Sequence, residues 1–378
     1  MAAVPDRVSG PETEAQPAPA ELRLVDYRPR SQLRARWVGA LPQPALAAID
    51  AHNHLGPTPF SEGWADRDAA ALREAMDLSG ISAIVDLDGG HGNALETEIG
   101  RWEPLGSRVA VFAGLDYEMW SARRDFGEEE ARRLEIAKAA GARGLKVWKT
   151  LGLRARDDRG RLVAVDDARL DPLWDVAGEL DLPVTIHVAD PIAFFEPLDP
   201  TNERWEELRE HPDWHFWPRQ PAGHPAADGF PTFEDVIAGL EATVARHPET
   251  TFIGAHVGCA AEDLRLVSRM LATYPNWNVD LAARIGELGR QPYTAREFIC
   301  RWPDRVLFGT DAPPDAAAWS VNYRFLETRD ESFPYDPDGG PGSQGRWAIT
   351  GLGLPHDVLG LVYAGNARRL IFDRSGRA

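Results

Sequence analysis

The sequence predicts an α/β fold, a (β/α)8 TIM barrel with long βα loops after strands five and eight. Three observations predict it. Short β-rich runs alternate with amphipathic helical stretches along most of the chain, and there are eight such runs. At 378 residues the chain suits one barrel with insertions. Strict alternation of strand and helix gives a parallel sheet. An open doubly wound sheet is the alternative. It would most naturally carry a glycine-rich phosphate turn after its first strand, and "HNHLGP" is not one.

In chain order the strand runs are "LAAIDAHNH" (46–54), "SAIVDLD" (82–88), "RVAVFAGLD" (108–116), "RGLKVWK" (143–149), "LPVTIHV" (182–188), "TTFIGAHV" (250–257), "NWNVDLA" (276–282) and "DRVLFGTD" (304–311). Between them lie helical stretches such as "DAAALREAMDLSG", "EEEARRLEIAKAAG", "LDPLWDVAGELD", "TFEDVIAGLEATVARH", "AEDLRLVSRMLATYP" and "TAREFICRW". Gly80 and Gly141 stand just past two of them as stop signals. A last helix, "PHDVLGLVYAGNARRLIF", follows strand eight. The domain reading is a disordered Pro-, Ala- and Glu-rich tail over 1–20, a segment packing on the barrel over 21–45, and the barrel domain over 46–378.

Composition limits the function. With 43% hydrophobic residues a large core can form. The net charge is -18, from 59 acidic and 41 basic residues, which argues against nucleic acid or an anionic membrane as partner. No apolar run reaches the roughly 20 residues of a membrane span. Two cysteines, Cys259 and Cys300, make no disulfide framework, and no basic-then-apolar leader is visible. A reducing, cytoplasmic location is the expectation.

Two connections, 189–231 and 312–354, are too long for plain turns. They hold Phe194, Phe195, Trp205, Trp214, Phe216 and Trp217, then Trp319, Tyr323, Phe325, Phe333, Tyr335 and Trp347. The expected role is pocket wall or lid on the C-terminal face, with subunit contact in a homodimer as the alternative. Trp217 is taken as a substrate-contacting residue.

Side chains at i and i+2 share a strand face. His52 and His54 would point inward together, with Asp50 a layer lower. His187 closes strand five above Thr185, His256 closes strand six above Gly254, and Asp311 closes strand eight above Gly309. Four histidines and an aspartate at one end of four strands make a nitrogen/oxygen site for zinc or a similar divalent ion, with manganese, iron and cobalt also accepted. Lys146 in "RGLKVWKTLG" lies three residues before Lys149. A lysine inside a barrel is costly as a cation. It could be neutralised by pairing with a carboxylate, or converted by carbon dioxide to a carbamate, an anionic ligand able to bridge two metals; the plainer alternative is a salt bridge or a solvated lysine. For Lys149 a salt bridge or a solvated lysine is expected.

These motifs resemble the amidohydrolase superfamily. "IDAHNHLG", "FIGAHVG", "VLFGTDAP" and "GNARRLI" are similar to its amidohydrolase-related branch, which includes nonoxidative decarboxylases and some hydrolases and hydratases. The resemblance spans roughly residues 46–371. "GLKVWKTLG" is also similar to the strand-four segment of urease, whose first lysine is the carbamate, and Lys146 takes that position. The resemblance implies that His52, His54 and Asp311 hold a first metal and that His187 is a ligand to it or to a second. His256 would bind a second metal or face the water and substrate. Asp50 would orient a ligand imidazole. Asp311, with His256, would move the proton. The implied reaction is metal-dependent hydrolysis of an amide, lactam or ester of a small substrate, with one or two ions bound. The alternative is nonoxidative decarboxylation of an aromatic or unsaturated acid. Decarboxylases of the branch generally hold one metal and lack the lysine.

Six residues remain as pocket candidates or their plainer alternatives. Arg284 in "NVDLAARIGELGR" would bind a substrate carboxylate, or pair with Glu287 or Asp280. His91 in "DLDGGHGN" would face the pocket or sit in a surface loop. Cys259 is expected to be a packed residue at a helix start, and His211, His215 and His224 are weaker candidates.

Overall fold

The computed structural model describes residues 21–23, 27, 32–35, 38–56, 64, 66–219, 229–336 and 344–374. Residues 1–34 cluster as one unit and 35–378 as another. The tail expected over 1–20 lies outside the described residues, as do Pro57 and His224. Within the larger unit, the stretch before the first strand is fixed by its backbone. The N–H groups of Val38 and Gly39 donate to Asp330 at 2.6 and 3.0 Å, and Ala45 N–H donates to Glu327 at 2.9 Å.

Eight parallel strands alternate with helices. They are β1 (Ala48–Asn53), β2 (Ile81–Asp86), β3 (Val109–Val111), β4 (Leu145–Val147), β5 (Val184–Ile186), β6 (Phe252–Gly254), β7 (Trp277–Asp280) and β8 (Val306–Leu307). β1–β3 form one arc and β4–β8 the other. A parallel bridge from Ala113 to Leu145 joins β3 to β4. Ala51 N–H to Phe308 O and Asp311 N–H to His52 O, both 2.9 Å, join β8 to β1. The ring is closed, a (β/α)8 barrel.

Crossover helices follow β1 to β7, for example Ala69–Ser79, Phe126–Ala140 and Phe233–Arg246. Gly80 ends the first in the left-handed conformation (φ 70°), as its place past the apolar stripe predicts. The loop after β8 corrects one expectation. Asp315 caps a helix, Ala316–Glu327, whose Trp319, Tyr323 and Phe325 are fully buried in the barrel's outer layer rather than walling a pocket. Their aromatic content reads as loop wall in the sequence; in the helix Trp319 and Tyr323 share a buried face with Asn322 and Leu326, and Phe325 is buried on another side. A two-strand ribbon, β9 (Phe333–Pro334) with β10 (Ala348–Ile349), follows. The last helix, over residues 356–372, closes the other end of the barrel. Its Ala367, Leu370 and Ile371 pack with Ile49, Ala51, Val85, Phe112, Ile253 and Leu307. Asn366 there donates to the carbonyls of Pro303 and Val306 at the start of β8.

That inner cluster shows which way side chains point. Ile49 and Ala51 face inward, so Asp50 faces out, against the simple alternation expected. Asp50 accepts from Thr310 N–H (3.0 Å), Thr310 Oγ1 (2.6 Å), Asn53 Nδ2 (2.9 Å) and the indole of Trp319 (2.9 Å). It pins β8 and the Ala316–Glu327 helix to β1 and touches no imidazole ring, so it is not the ligand-orienting carboxylate. Between Asp50 and Asn53 the pairing with β2 runs three residues against two, since Asp50 faces Ile84 and Asn53 faces Asp86. This bulge turns His52 inward where strand parity would turn it out.

Replacing Asp50 by alanine strands several buried donors at once. We expect a loss of about 3 kcal/mol in unfolding free energy, read as a lowered denaturant midpoint by tryptophan fluorescence. Asp77→Ala, which removes an exposed partner of Arg108, should change stability by under about 0.5 kcal/mol.

Candidate metal centre

The C-terminal ends of seven strands deliver the polar groups. His52 and His54 come from β1, Asp88 follows β2, Lys146 lies in β4, His187 follows β5, His256 follows β6, Asp280 ends β7 and Asp311 follows β8. His52 Nε2 lies 3.6 Å and His54 Nε2 3.0 Å from Asp311 Oδ1, and His256 Nε2 lies 3.8 Å from Asp311 Oδ2. The ring centroids of His256 are 4.8 Å from those of His52 and 4.3 Å from those of His187. The structure thus brings together the five residues singled out in the sequence, and Lys146 with them.

Each ring is aimed by its other nitrogen. His52 Nδ1 bonds Asp280 at 2.8 Å, His54 Nδ1 bonds Asp88 at 2.7 Å, and His256 Nδ1 bonds the carbonyl of Ala282 at 2.9 Å. For His52 and His256 this leaves Nε2 directed to the centre with its lone pair available, whereas His54 Nε2 meets Asp311 and would give up its proton to take a cation. Asp280 and Asp88 are the orienting carboxylates, and the sequence reasoning missed both in that role. Their signal was present: each is an aspartate at a strand's C-terminal end, the feature that marked Asp311. Asp280 Oδ1 also accepts the N–H groups of His256 (2.9 Å) and Ala282 (3.1 Å).

His256 reaches the centre by a route strand parity does not give. Ile253 faces inward, and a Cβ on Gly254 would lie 2.3 Å from the ring of Trp277, so Gly254 faces out. The chain then enters a left-handed turn: His256 (φ 58°), Val257 (φ 59°), Gly258 (φ 65°) and Cys259 (φ 61°). Left-handed backbone is costly for side chains such as valine and persists where the surroundings impose it. Asp311 (φ 57°) and Ala283 (φ 54°) share this conformation. On β8, Gly309 gives His52 room, since a Cβ there would lie 2.8 Å from His52 Cβ.

Electrostatics match a cation site. Burial holds His52 and His256 well below the ordinary imidazole range, with the neighbouring Lys146 and His187 adding to it respectively. Burial also takes His187 down to about 4. Its Nε2 is buried and lies 3.4 Å from Asp190 without an aligned hydrogen bond. Neutral imidazoles are what a metal needs. Burial opposes charge on His54, but Asp311 and Asp88 outweigh it and raise it to about 9. Lys146 is fully buried, and burial lowers its ammonium. Its Nζ lies 3.3 Å from His52 Nε2 and 4.7 Å from the Trp148 ring centroid. Among the described residues no carboxylate lies within 4.0 Å of it. Lys149 instead is ion-paired with Asp190. The donor set fits a divalent ion: His52, His54 and Asp311 offer ligand atoms within 4.8 Å of one another.

A cavity of about 730 Å³ opens over the centre. Trp148, Lys149, Phe194, Arg204, Glu207, Trp214, Arg284 and Gln344 line it with the histidines and Asp311. Arg284 is therefore a cavity residue. Trp217 is not among the lining residues; its ring stacks at 6.3 Å on His215, and Trp148, Phe194 and Trp214 supply the aromatic walls. His91 is also displaced. Half exposed and 4.0 Å from Asp116, it borders a separate hollow between the 93–102 and 126–140 helices. Cys259 is buried in the left-handed turn.

Two outcomes follow. Asp280→Asn should weaken zinc binding about 10–100-fold in a competition titration. Glu207 is raised to about 7 by burial, against the pull of Arg204. The folded state then holds a proton that the unfolded chain releases, so stability falls as pH rises from about 4.5 to about 7, by at most about 1.4 kcal/mol per unit. Glu207→Gln should flatten that slope in denaturation midpoints taken between pH 4.5 and 8.

Comparisons with known proteins agree with the fold. The chain covers 85% of itself and 97% of an uncharacterised TIM-barrel protein from Bordetella bronchiseptica at 15% identity and a TM-score of 0.50. Two weaker likenesses, both with a TM-score of 0.48, are a 2,6-dihydroxybenzoate decarboxylase from Rhizobium (17% identity, 86% and 98% covered) and a 5-carboxyvanillate decarboxylase from Novosphingobium aromaticivorans with bound manganese (12%, 87% and 98%). No curated protein matches the chain significantly. Among the described residues no helix is long and apolar enough to cross a membrane. The amidohydrolase family pattern matches residues 49–372 continuously, from the first barrel strand to the closing helix, and the chain belongs to the amidohydrolase family.

Proposed function

We propose that the protein is a metal-dependent hydrolase acting on an amide, lactam or ester of a small, aromatic-bearing substrate. One observation carries this reading: the amine of Lys146, fully buried beside His52, with no carboxylate within ion-pairing distance among the described residues. Of the two fates open to a barrel lysine, the ion pair is absent. We read Lys146 as a carbamate, formed from the neutral amine that burial favours, over an amine that stays unmodified beside His52. It would add an anionic ligand between the His52–His54–Asp311 group and His187 with His256.

A divalent ion bound here supplies a Lewis acid for the substrate carbonyl and makes a coordinated water acidic near neutral pH. The chain's own residues do the rest. Asp311, within reach of three imidazoles, takes the proton of the attacking water and returns it to the leaving group. His256 faces the same space with its proton on Nδ1, held by the Ala282 carbonyl, so its bare Nε2 would serve as a further ligand to a cation there. Trp148, Phe194 and Trp214 exclude water and offer flat faces. Those walls also favour a second reading, nonoxidative decarboxylation of a planar acid, in which Asp311 or His256 protonates the carbon that loses carbon dioxide.

Metal counting with intact-mass analysis tests the choice. We expect two zinc or manganese ions per chain and a mass increment of one carbon dioxide that disappears in Lys146→Ala. That variant should lose one ion and regain part of its activity in added acetate. A single ion, an unmodified lysine and carbon dioxide release from an aromatic acid panel would favour the second reading. Asp311→Asn should lower kcat by about 10²–10⁴-fold in either case.

A further inference from the structure

Arg284 is a buried guanidinium facing a cavity without an anion of its own. It follows β7, is 7% exposed and lines the space over the metal centre. Among the described residues its one side-chain hydrogen bond runs from Nη1 to the carbonyl of its neighbour Ala283, at 2.8 Å. Among the described residues no carboxylate lies within 4.0 Å of it. The three that influence it most, Glu287, Asp190 and Glu262, act from farther away. Glu287 is paired with Arg204, and Asp190 with Lys149. The expected ion pairs of Arg284 with Glu287 or Asp280 are therefore not made.

Of the other cavity cations, Lys149 and Arg204 are committed to carboxylates, and Arg154 is exposed and donates to the carbonyl of Asp213. Arg204 is 1% exposed, bonds Glu207 and Glu287, and lies 4.8 Å from the Trp347 ring centroid. It holds loops together. Arg284 alone among the buried arginines of the cavity keeps most of its five donors for a ligand. A guanidinium out of water needs an anion. Its planar fork matches a carboxylate in two parallel bonds. On the same cavity Phe194 and Trp214 lie within 12° of parallel, and Trp148 stacks on His54 at 5.2 Å. These rings stack on one another and on His211 and His54, so they form an apolar aromatic wall against which an aromatic group can pack, not a slot between parallel faces.

We propose that Arg284 anchors the carboxylate of a flat aromatic acid whose breakable bond is a separate amide or ester reaching the histidine–aspartate end. This rests on the hydrolase reading in that the carboxylate is a handle and not the group that reacts. In a decarboxylase pose the carboxylate would sit at the metal instead.

Calorimetric titration of the zinc-loaded full chain with para-acetamidobenzoate and with its neutral counterpart, para-acetamidobenzamide, tests this. We expect the acid to bind at least about 10-fold more tightly, the scale of a charge-assisted hydrogen bond. The preference should survive removal of the metal by a chelator, fall to about one in Arg284→Met, and persist in part in Arg284→Lys. A thermal melt confirms that each variant is folded, and Arg284→Gln serves if the Met variant is not. Retention of the full preference in a folded Arg284→Met or Arg284→Gln variant would overturn the assignment. So would equal binding of acid and amide by the wild type, or a preference that vanishes with the metal. An Arg284-dependent preference with no hydrolysis of any amide, lactam or ester would sustain the subsite and defeat the hydrolase reading.

Discussion

The carboxylate of Asp280 holds together what the rest of the site requires. One oxygen takes the ring N–H of His52, and the other takes the main-chain N–H groups of His256 and Ala282. Three strands, β1, β6 and β7, meet on it. Burial raises its pKa, and the donors around it draw it back down. The hydrogen bonds must therefore be good for the carboxylate to stay ionised in a dry barrel. Ionised, it fixes the tautomer of His52 and steadies the left-handed turn that carries His256. Neither imidazole has another group able to do both.

The centre also shows how a barrel places more ligands than strand parity allows. Alternate residues of a strand face inward, and at β1 and β6 the wrong ones do. Ile49 and Ala51 belong to the inner cluster, so His52 arrives only through the extra residue of a bulge. Ile253 belongs to it as well, so His256 arrives only through a reversed turn. Both devices cost local backbone free energy. Both sit beside the centre, where such costs are commonly retained for function.

The difference between what was legible and what was not has this origin. The alternation of strands and helices, the barrel and the converging set of His52, His54, His187, His256 and Asp311 follow from residue type and from position at strand ends. The aim of individual side chains follows from bulges and positive φ angles, which no periodicity encodes. Hence Asp50 was placed inward and proved to be a clamp on the outer layer. Trp217 and the pocket-facing reading of His91 rest on loop membership alone, which does not fix direction; His91 takes its alternative as a half-exposed loop residue. The helix over Ala316–Glu327 was hidden by its own aromatics. Its cap, Asp315 ahead of three alanines, was the readable signal.

The charge of the whole chain and the charge of the cavity point in opposite directions, and distance decides between them. A surface carrying a net -18 repels an approaching anion. At physiological ionic strength that repulsion decays over about 8 Å. Within the cavity, Glu207 and Asp190 face Arg204, Lys149 and Arg284, and the first two cations neutralise them. The long loops are drawn over this space by Arg204 with Glu287, Arg290 with Glu203 at 2.9 Å, and Arg346 with Glu206 at 2.8 Å. By excluding water they strengthen any interaction left unscreened beneath them. The acidic surface therefore acts on approach, whereas beneath that roof Arg284 is a buried cation with no carboxylate within 4.0 Å among the described residues, and on the proposal above it favours an anion in the cavity.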